Sequence, residues 1–330
     1  MNVSKVENLP PPPGIINSIK AGFDTIATHI TAILLPLILN LFLWLGPRLH
    51  VDSLFNSVKT DMVSIWKTGG VSPDDIKHAI DLYDQMIPRI NLFWVFHTFP
   101  IGISSLFLPQ GDSTTPLGNP AIWQVSLGSL FGWAFLLTLL GWIGGGLYFR
   151  NVASLTLTNT DTQPLSVLRA VVQTIRLSIF WGILFIVIGV PVFLVLALVL
   201  QLNSFVANIL VLILSVASMW VIVPLFFWPH GIFIKKQNVL TSILSSMQMM
   251  RFTLPTSSMF VLTVFLLTFG LNFLWSIPPE NSWMMLLGIF GQSFIATALL
   301  AASFVYYRDM NIWLQSAIEK LRPTMLTKKA

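Results

Sequence analysis

The chain has 330 residues, of which 55% are hydrophobic and 9% charged, with 18 Lys and Arg against 13 Asp and Glu and no cysteine. A soluble domain carries about 25% charged residues, so a water-soluble enzyme is excluded, as are a disordered chain and a disulfide-stapled secreted one. What remains is an all-α integral membrane protein, because a chain in lipid satisfies its own backbone polar groups.

Residues 1–14, MNVSKVENLPPPPG, hold the run Pro10–Pro13 and no apolar core. They read as a disordered, extended lead-in rather than a secretory signal. From there Ile15, Ile16, Ile19, Phe23, Ile26 and Ile30 recur at helical spacing. That pattern predicts an amphipathic helix on the cytoplasmic interface, anchored at membrane entry by His29. The first span follows over Thr31–Leu45.

An insertion, Arg48–Ala121, interrupts the first hairpin. Val51, Leu54, Phe55, Val58, Met62, Ile65 and Trp66 form one apolar stripe, which Gly69-Gly70 stops. Ser72-Pro73-Asp74-Asp75 starts a second helix with an N-cap, a first-turn proline and two acids that complement its dipole. Its stripe runs Ile76, Ala79, Ile80, Tyr83, Met86 and Ile87, and Pro88 ends it. Two such helices bury little by themselves and are expected on the outer leaflet or over the bundle. Asn91–Pro109 is apolar enough to insert, yet it contains His97, Pro100 and Gly102. It is expected beneath those helices as a buried or interfacial segment on the outer side.

Five more spans are predicted: Ile122–Phe149, Leu177–Leu200, Phe205–Ile234, Ser257–Ile277 and Trp283–Tyr307. Amphipathic stretches precede two of them. Leu165, Leu168, Val172 and Ile175 lead to Arg176, and Leu240, Ile243, Leu244, Met247 and Met250 lead to Arg251. With His29, these residues suit the head-group level. The chain thus reads as six transmembrane helices in three repeated units, each an interfacial helix plus a helical hairpin, the whole domain covering 15–307. Met310, Trp313, Leu314, Ala317 and Leu321 mark 308–330 as an amphipathic tail along the cytoplasmic interface.

Lys and Arg counts orient the chain. With six spans and both termini cytoplasmic, 13 basic residues lie inside and 5 outside. Were Asn91–Pro109 also to span, only Lys5 and Lys20 would stay inside. The six-span count leaves +8 inside and −3 outside. The inner excess suits anionic lipid head groups. No basic stripe with interleaved aromatics points to nucleic acid.

Chemistry is sparse. No span carries Asp, Glu, Lys or Arg in its central part. Polar residues within reach are Asn40, Gln124, Asn272 and Gln292; interhelical hydrogen bonding is their first reading and a polar pathway their second. Gly128, Gly132, Gly141 and Gly145, with Ser293, Thr297 and Ala301, suit close helix packing. Pro36, Pro191 and Pro224 mark possible helix breaks. Asp74, His78 and Asp81 share a helical face, which reads as solvated and acidic before it reads as a metal site. His97 reads as a hydrogen-bonded buried residue, and His230 as an interfacial anchor. Trp44, Trp123, Trp228, Trp275 and Trp283 read as boundary residues. No catalytic residue, metal or cofactor is expected.

AGFDTIATHITAILLPLI at the start, GLYFRNVASL after the second span and ATALLAASFVYYRDM near the end carry a resemblance. In these stretches the chain resembles bacterial six-helix membrane proteins of the YciC type and the membrane domain fused to some glycerophosphodiester phosphodiesterases. The catalytic barrel of the latter is absent, so the resemblance implies no active-site residue. It implies a prokaryotic cytoplasmic membrane and a lipid-associated or accessory role. The leading expectation is therefore a non-enzymatic scaffold or accessory protein that meets lipids, a membrane-protein partner or a second copy. A permease or flippase-like transporter is the alternative.

Overall fold

A computed structural model describes residues 11–86, 90–107, 114–157 and 163–321, and its regular structure is almost wholly helical. Helix α1 (Ile15–Thr28) meets a 3-10 turn at Ile30–Ile33 and then α2 (Leu34–Leu45). The insertion contributes strand β1 (Arg48–His50), α3 (Asp52–Thr68), α4 (Pro73–Met86), a 3-10 turn at Leu92–Phe96 and strand β2 (Ile122–Gln124). There follow α5 (Leu127–Leu155), α6 (Val167–Leu184), a π-helical turn at Phe185–Gly189 and α7 (Val190–Leu202). The remaining helices are α8 (Ser204–Lys235), α9 (Val239–Trp275) and α10 (Met285–Leu321). Of the proline-rich start, residues 1–10 lie outside the described residues, as do 322–330 of the tail.

Five helices are long and apolar enough to cross a membrane: α5, the continuous α6–α7, α8, α9 and α10. The pair α1 and Ile30–Leu45, bent by 96°, is a sixth candidate. The bend falls at His29, whose ring Nδ1 lies 3.1 Å from the Thr25 carbonyl.

Of the three expected breaks between an amphipathic stretch and the apolar helix after it, a break is seen only at this bend. Arg176 and Arg251 are exposed in the middle of unbroken helices, Val167–Leu202 and Val239–Trp275. The amphipathic and fully apolar stretches share one helical phase with no glycine or cap between them, so nothing stops propagation. The same holds for the tail, since α10 runs through Tyr307 to Leu321 without a break.

Prolines bend the fold less than expected. Pro224 and Pro229 both sit inside α8. Pro191 directly follows the π-helical turn, a widening that accommodates a residue with no N–H to donate. At the other α8 carbonyls, Ser242 and Ser246 of α9 donate to Trp228 O at 2.5 Å and Phe227 O at 3.1 Å.

The strands were not anticipated. β1 pairs with β2 in parallel, with Arg48 opposite Ile122 and His50 opposite Gln124. They form the neck of the insertion and bring its two ends together. Asn91 locks the neck, its Oδ1 accepting from Leu49 N at 3.1 Å and Phe93 N at 3.2 Å. Beneath it Leu49, Val51, Phe93, Val125 and Leu137 form a separate apolar cluster.

Helix α1 does not simply lie on a surface. Its buried residues Ser18, Gly22 and Ile26 recur every fourth position and face α10. The crossing is close enough that a Cβ on Gly22 would stand 2.4 Å from Ala302 N and 2.5 Å from Ala298 O. First and last helices are thereby joined through small residues, as in lipid-embedded packing generally. Gly22→Val is expected to abolish this crossing and lower the melting temperature of the purified protein in detergent. Gly128→Val, at a position with no atom within 4 Å of the new Cβ, is the matched control and should melt within a degree or so of the parent, given a surface effect of about ±0.5 kcal/mol.

Candidate functional site

The segment 97–107 is neither helix nor strand, yet it runs between helices rather than over them. Its backbone reaches α5 at two glycines. A Cβ on Gly141 would stand 2.9 Å from Phe96 O, and one on Gly145 would stand 2.8 Å from Ile101 O. At 1.5 Å per residue, Gly145 lies about 27 Å along α5 from Leu127. Ile101 is fully buried, and Leu106 and Ile103 nearly so. The segment is thus packed among helices rather than spread over them.

Irregular backbone buried among helices requires partners for its polar groups. Asn40 of α2 supplies them. The residue is fully buried; its Oδ1 accepts from Leu106 N at 2.9 Å and Ser105 Oγ at 2.8 Å. Its Nδ2 donates to Pro36 O at 2.9 Å and Gln292 Oε1 at 3.1 Å, with Ser293 Oγ at 3.4 Å. A backbone N–H on one side and a backbone carbonyl on the other fix which way the carboxamide faces. Gln292 of α10 completes the set by donating to Ser104 Oγ at 2.9 Å. At the tip, Thr98 Oγ1 donates to Ile101 O at 2.7 Å. His97 Nδ1 faces Trp94 O at 2.9 Å, and burial pushes its pKa below the ordinary histidine value.

Of the four polar residues considered for a pathway, Asn40 and Gln292 thus meet. Asn272 of α9 reaches Gln292 only across a cavity of about 10 Å³. Gln124 is elsewhere: it is exposed on β2, its Nε2 3.2 Å from Asp52 Oδ2 at the neck. The small residues divide likewise. Gly141 and Gly145 receive this segment, not a helix, and it is neighbouring Gly146 that meets α6, at Thr174. Gly128 and Gly132 meet nothing within 4 Å. On α10, Ser293 faces Asn40, Thr297 Oγ1 receives the Tyr148 hydroxyl at 3.0 Å, and Ala301 is fully buried in the main core.

Beside the segment lies a chamber of about 340 Å³, walled by Phe99, Pro100 and Ser104 together with residues of α5, α6, α8, α9 and α10. The wall is exposed at Phe99 and Ile222 and buried at His230, Ser303 and Leu299. His230 therefore corrects an expectation: it is 2% exposed, its ring 4.7 Å from that of Phe304 and 5.4 Å from that of Phe226. It sits more than a turn before the end of α8, packed inside the bundle rather than exposed on its surface. Trp44 and Trp228 are buried too, Trp44 Nε1 donating to Glu280 O at 2.7 Å, whereas Trp123 and Trp283 are half exposed.

Among the described residues no group of three or more His, Asp or Glu is placed to hold a metal ion. Neither the burial of 97–107 among the helices nor the chamber was visible in the sequence; Pro100 and Gly102, with Ser104-Ser105 after them, were the one available signal. Comparison with protein-family models, with curated proteins and with solved structures finds no match to this chain.

Replacing Asn40 with Leu removes both donor and acceptor from the segment's anchor. Leaving a buried polar group unpaired costs about 1–3 kcal/mol, so Asn40→Leu should lower the melting temperature and expose 97–107 to added protease. A variant as stable and as protease-resistant as the parent would show that the carboxamide does not hold the segment.

Proposed function

We propose that this is a multi-pass membrane protein of six spans in three units, with both termini cytoplasmic, acting as a non-enzymatic accessory or scaffold protein that engages lipids or membrane partners. The observation that carries this reading is the use made of the interior polar groups. Asn40, Gln292, Ser104 and Ser105 spend their hydrogen bonds on holding the segment 97–107, and Gln124 stands outside the bundle. A transporter needs polar groups left to meet a substrate, and intramembrane charge or broken helices in matched positions commonly mark one. Meanwhile a broad apolar surface faces outward: α7 has no buried residue, and Phe193, Leu198, Phe205 and Leu212 are all more than half exposed. In a bilayer that surface meets acyl chains or another membrane protein. Kinship with the YciC-type proteins belongs to the same proposal.

Two measurements test it. Reconstituted in liposomes, the protein should give no saturable flux of small solutes above empty vesicles; saturable flux would establish the permease alternative instead. The absence of cysteine makes topology directly accessible through single introduced thiols. An impermeant maleimide on intact cells should label Asp81→Cys, on exposed α4, and spare Asn151→Cys, on exposed α5 near its final turn. The reverse pattern would invert the orientation, and labelling of both would refute the six-span arrangement.

A further inference from the structure

The chamber beside 97–107 is a void within the bundle. Its roughly 340 Å³ is more than twice the size of an apolar cavity, about 150 Å³, that stays dry and takes up a benzene-sized guest. Phe149, Trp181, Phe226 and Leu299 help to make its wall apolar, and no charged side chain lines it among the described residues. The few polar groups on that wall are largely matched already. Thr268 Oγ1 donates to Val264 O at 2.8 Å, and Ser104 Oγ accepts from Gln292 Nε2 at 2.9 Å. Ser303 Oγ lies 2.7 Å from both Leu300 O and His230 Nε2, and the His230 ring also meets the Phe226 carbonyl. The Trp181 indole N–H has no partner, but neither have those of Trp228 and Trp275, so it marks no head group. An ordered water needs about two to four polar partners. An empty void forfeits contacts all round its lining. The space therefore suits hydrocarbon.

We propose that one acyl chain of a membrane phospholipid occupies this chamber, with its glycerol and head group left outside. The surroundings of the opening identify the occupant. Phe99 and Ile222, the exposed part of the wall, lie among further exposed apolar residues: Val221 beside Ile222, and Phe265 beside the wall residue Val264. Helices α8 and α9, which carry three of these four, are long and apolar enough to cross a membrane. In a bilayer the medium against such a surface is acyl chain, so a chain enters sideways without meeting a polar barrier. α10 contributes Ala296, Leu299 and Ser303 from the middle of its 37 residues, so the closed end lies far from either end of that helix. A charged or zwitterionic head drawn inside would lose its water and find no countercharge. Only the chain therefore enters. The proposal rests on the membrane reading above, and it holds for a scaffold and for a permease alike.

The test uses the full-length protein in phosphatidylcholine nanodiscs, doped with phosphatidylcholine that carries a photoreactive diazirine near the end of one acyl chain. After irradiation, residue-level mass spectrometry should find adducts on Leu299 of the wall as well as on the outward-facing Phe193 and Leu198 of α7. Leu299 is 2% exposed, so a chain reaches it only through the chamber. Ala296→Phe, which fills the chamber, should cut the Leu299 adducts at least about tenfold and leave those on α7 as they are. Ile222→Trp narrows the opening from a half-exposed position and should act in the same direction; it decides alone if Ala296→Phe fails to fold. A labelled α7 with Leu299 unlabelled, or Leu299 labelled equally in the parent and both variants, would overturn the proposal. So would labelling of Leu299 by a diazirine-bearing free fatty acid or alkane but not by the phospholipid, which would assign an unesterified guest. Loss of adducts from α7 as well would overturn the membrane reading itself, and the proposal with it.

Discussion

One buried carboxamide permits the rest of the arrangement. Hydrocarbon offers no water to a backbone N–H or carbonyl, so an irregular chain at membrane depth survives only against protein partners. Asn40 gives the segment 97–107 an acceptor for Leu106 N and Ser105 Oγ and connects it through Gln292 to Ser104. Its own helix benefits as well, since Nδ2 also donates to Pro36 O. With the segment held there, α2 and α5 both pack on α10 while residues 97–107 fill the space beside them. The wall of the chamber formed by Phe99, Pro100 and Ser104 exists because that wedge is in place.

The wedge also explains the distribution of small residues on α5. Glycine in a lipid-embedded helix allows close approach, but approach by what depends on the fold. Gly141 and Gly145 admit the backbone of residues 96–102, while Gly146, one position further on, admits Thr174 of α6. At the far side Gly22 lets α1 cross α10 against Ala298 and Ala302. Ile26 and Ala301, near that crossing, belong to the same core cluster as Ile101 of the segment 97–107. The amphipathic first helix is therefore part of the protein's interior, although Ile16 on its other face stays four-fifths exposed.

Helix identity was legible in the sequence because lipid enforces one solution, and long runs without charge state it directly. The helices α5, α8 and α10 follow that signal. Helix ends were harder. The expected breaks before Arg176 and Arg251 rested on a change from amphipathic to fully apolar pattern, and that change alters which faces are covered without interrupting the hydrogen-bond ladder. The neck strands were illegible because three residues each carry no usable alternation, and their pairing spans 72 positions between Arg48 and Ile122. Of the site, Asn40 and Gln292 were recognisable as polar groups in apolar runs. Their meeting was not, for it depends on how a non-helical segment folds back. His230 was misjudged for a related reason: WPHG lies close to the basic pair Lys235-Lys236 in sequence, yet the ring turns inward to Ser303.

Charge has a structural use at the helix ends opposite the neck, where basic side chains hold elements together. Arg308 donates to Thr156 O at the end of α5, and Arg169 donates to Lys236 O, the left-handed residue that closes α8, at 2.8 Å. Arg150 Nε reaches Leu165 O at 2.5 Å, and Lys235 Nζ reaches Asn311 Oδ1 at 2.6 Å. Two of these cations sit on carbonyls at helix C-termini, where unsatisfied acceptors and the negative end of the dipole coincide. Three clamps join elements distant in sequence, α10 to α5, α6 to the end of α8 and α8 to α10, and the fourth ties α5 to the start of α6. The clamps work from the face opposite the neck, so the bundle is held at both ends by polar bonds and in its middle by Asn40. Between those levels stands the apolar chamber, open past Phe99 and Ile222 and closed off by His230, Ser303 and Leu299.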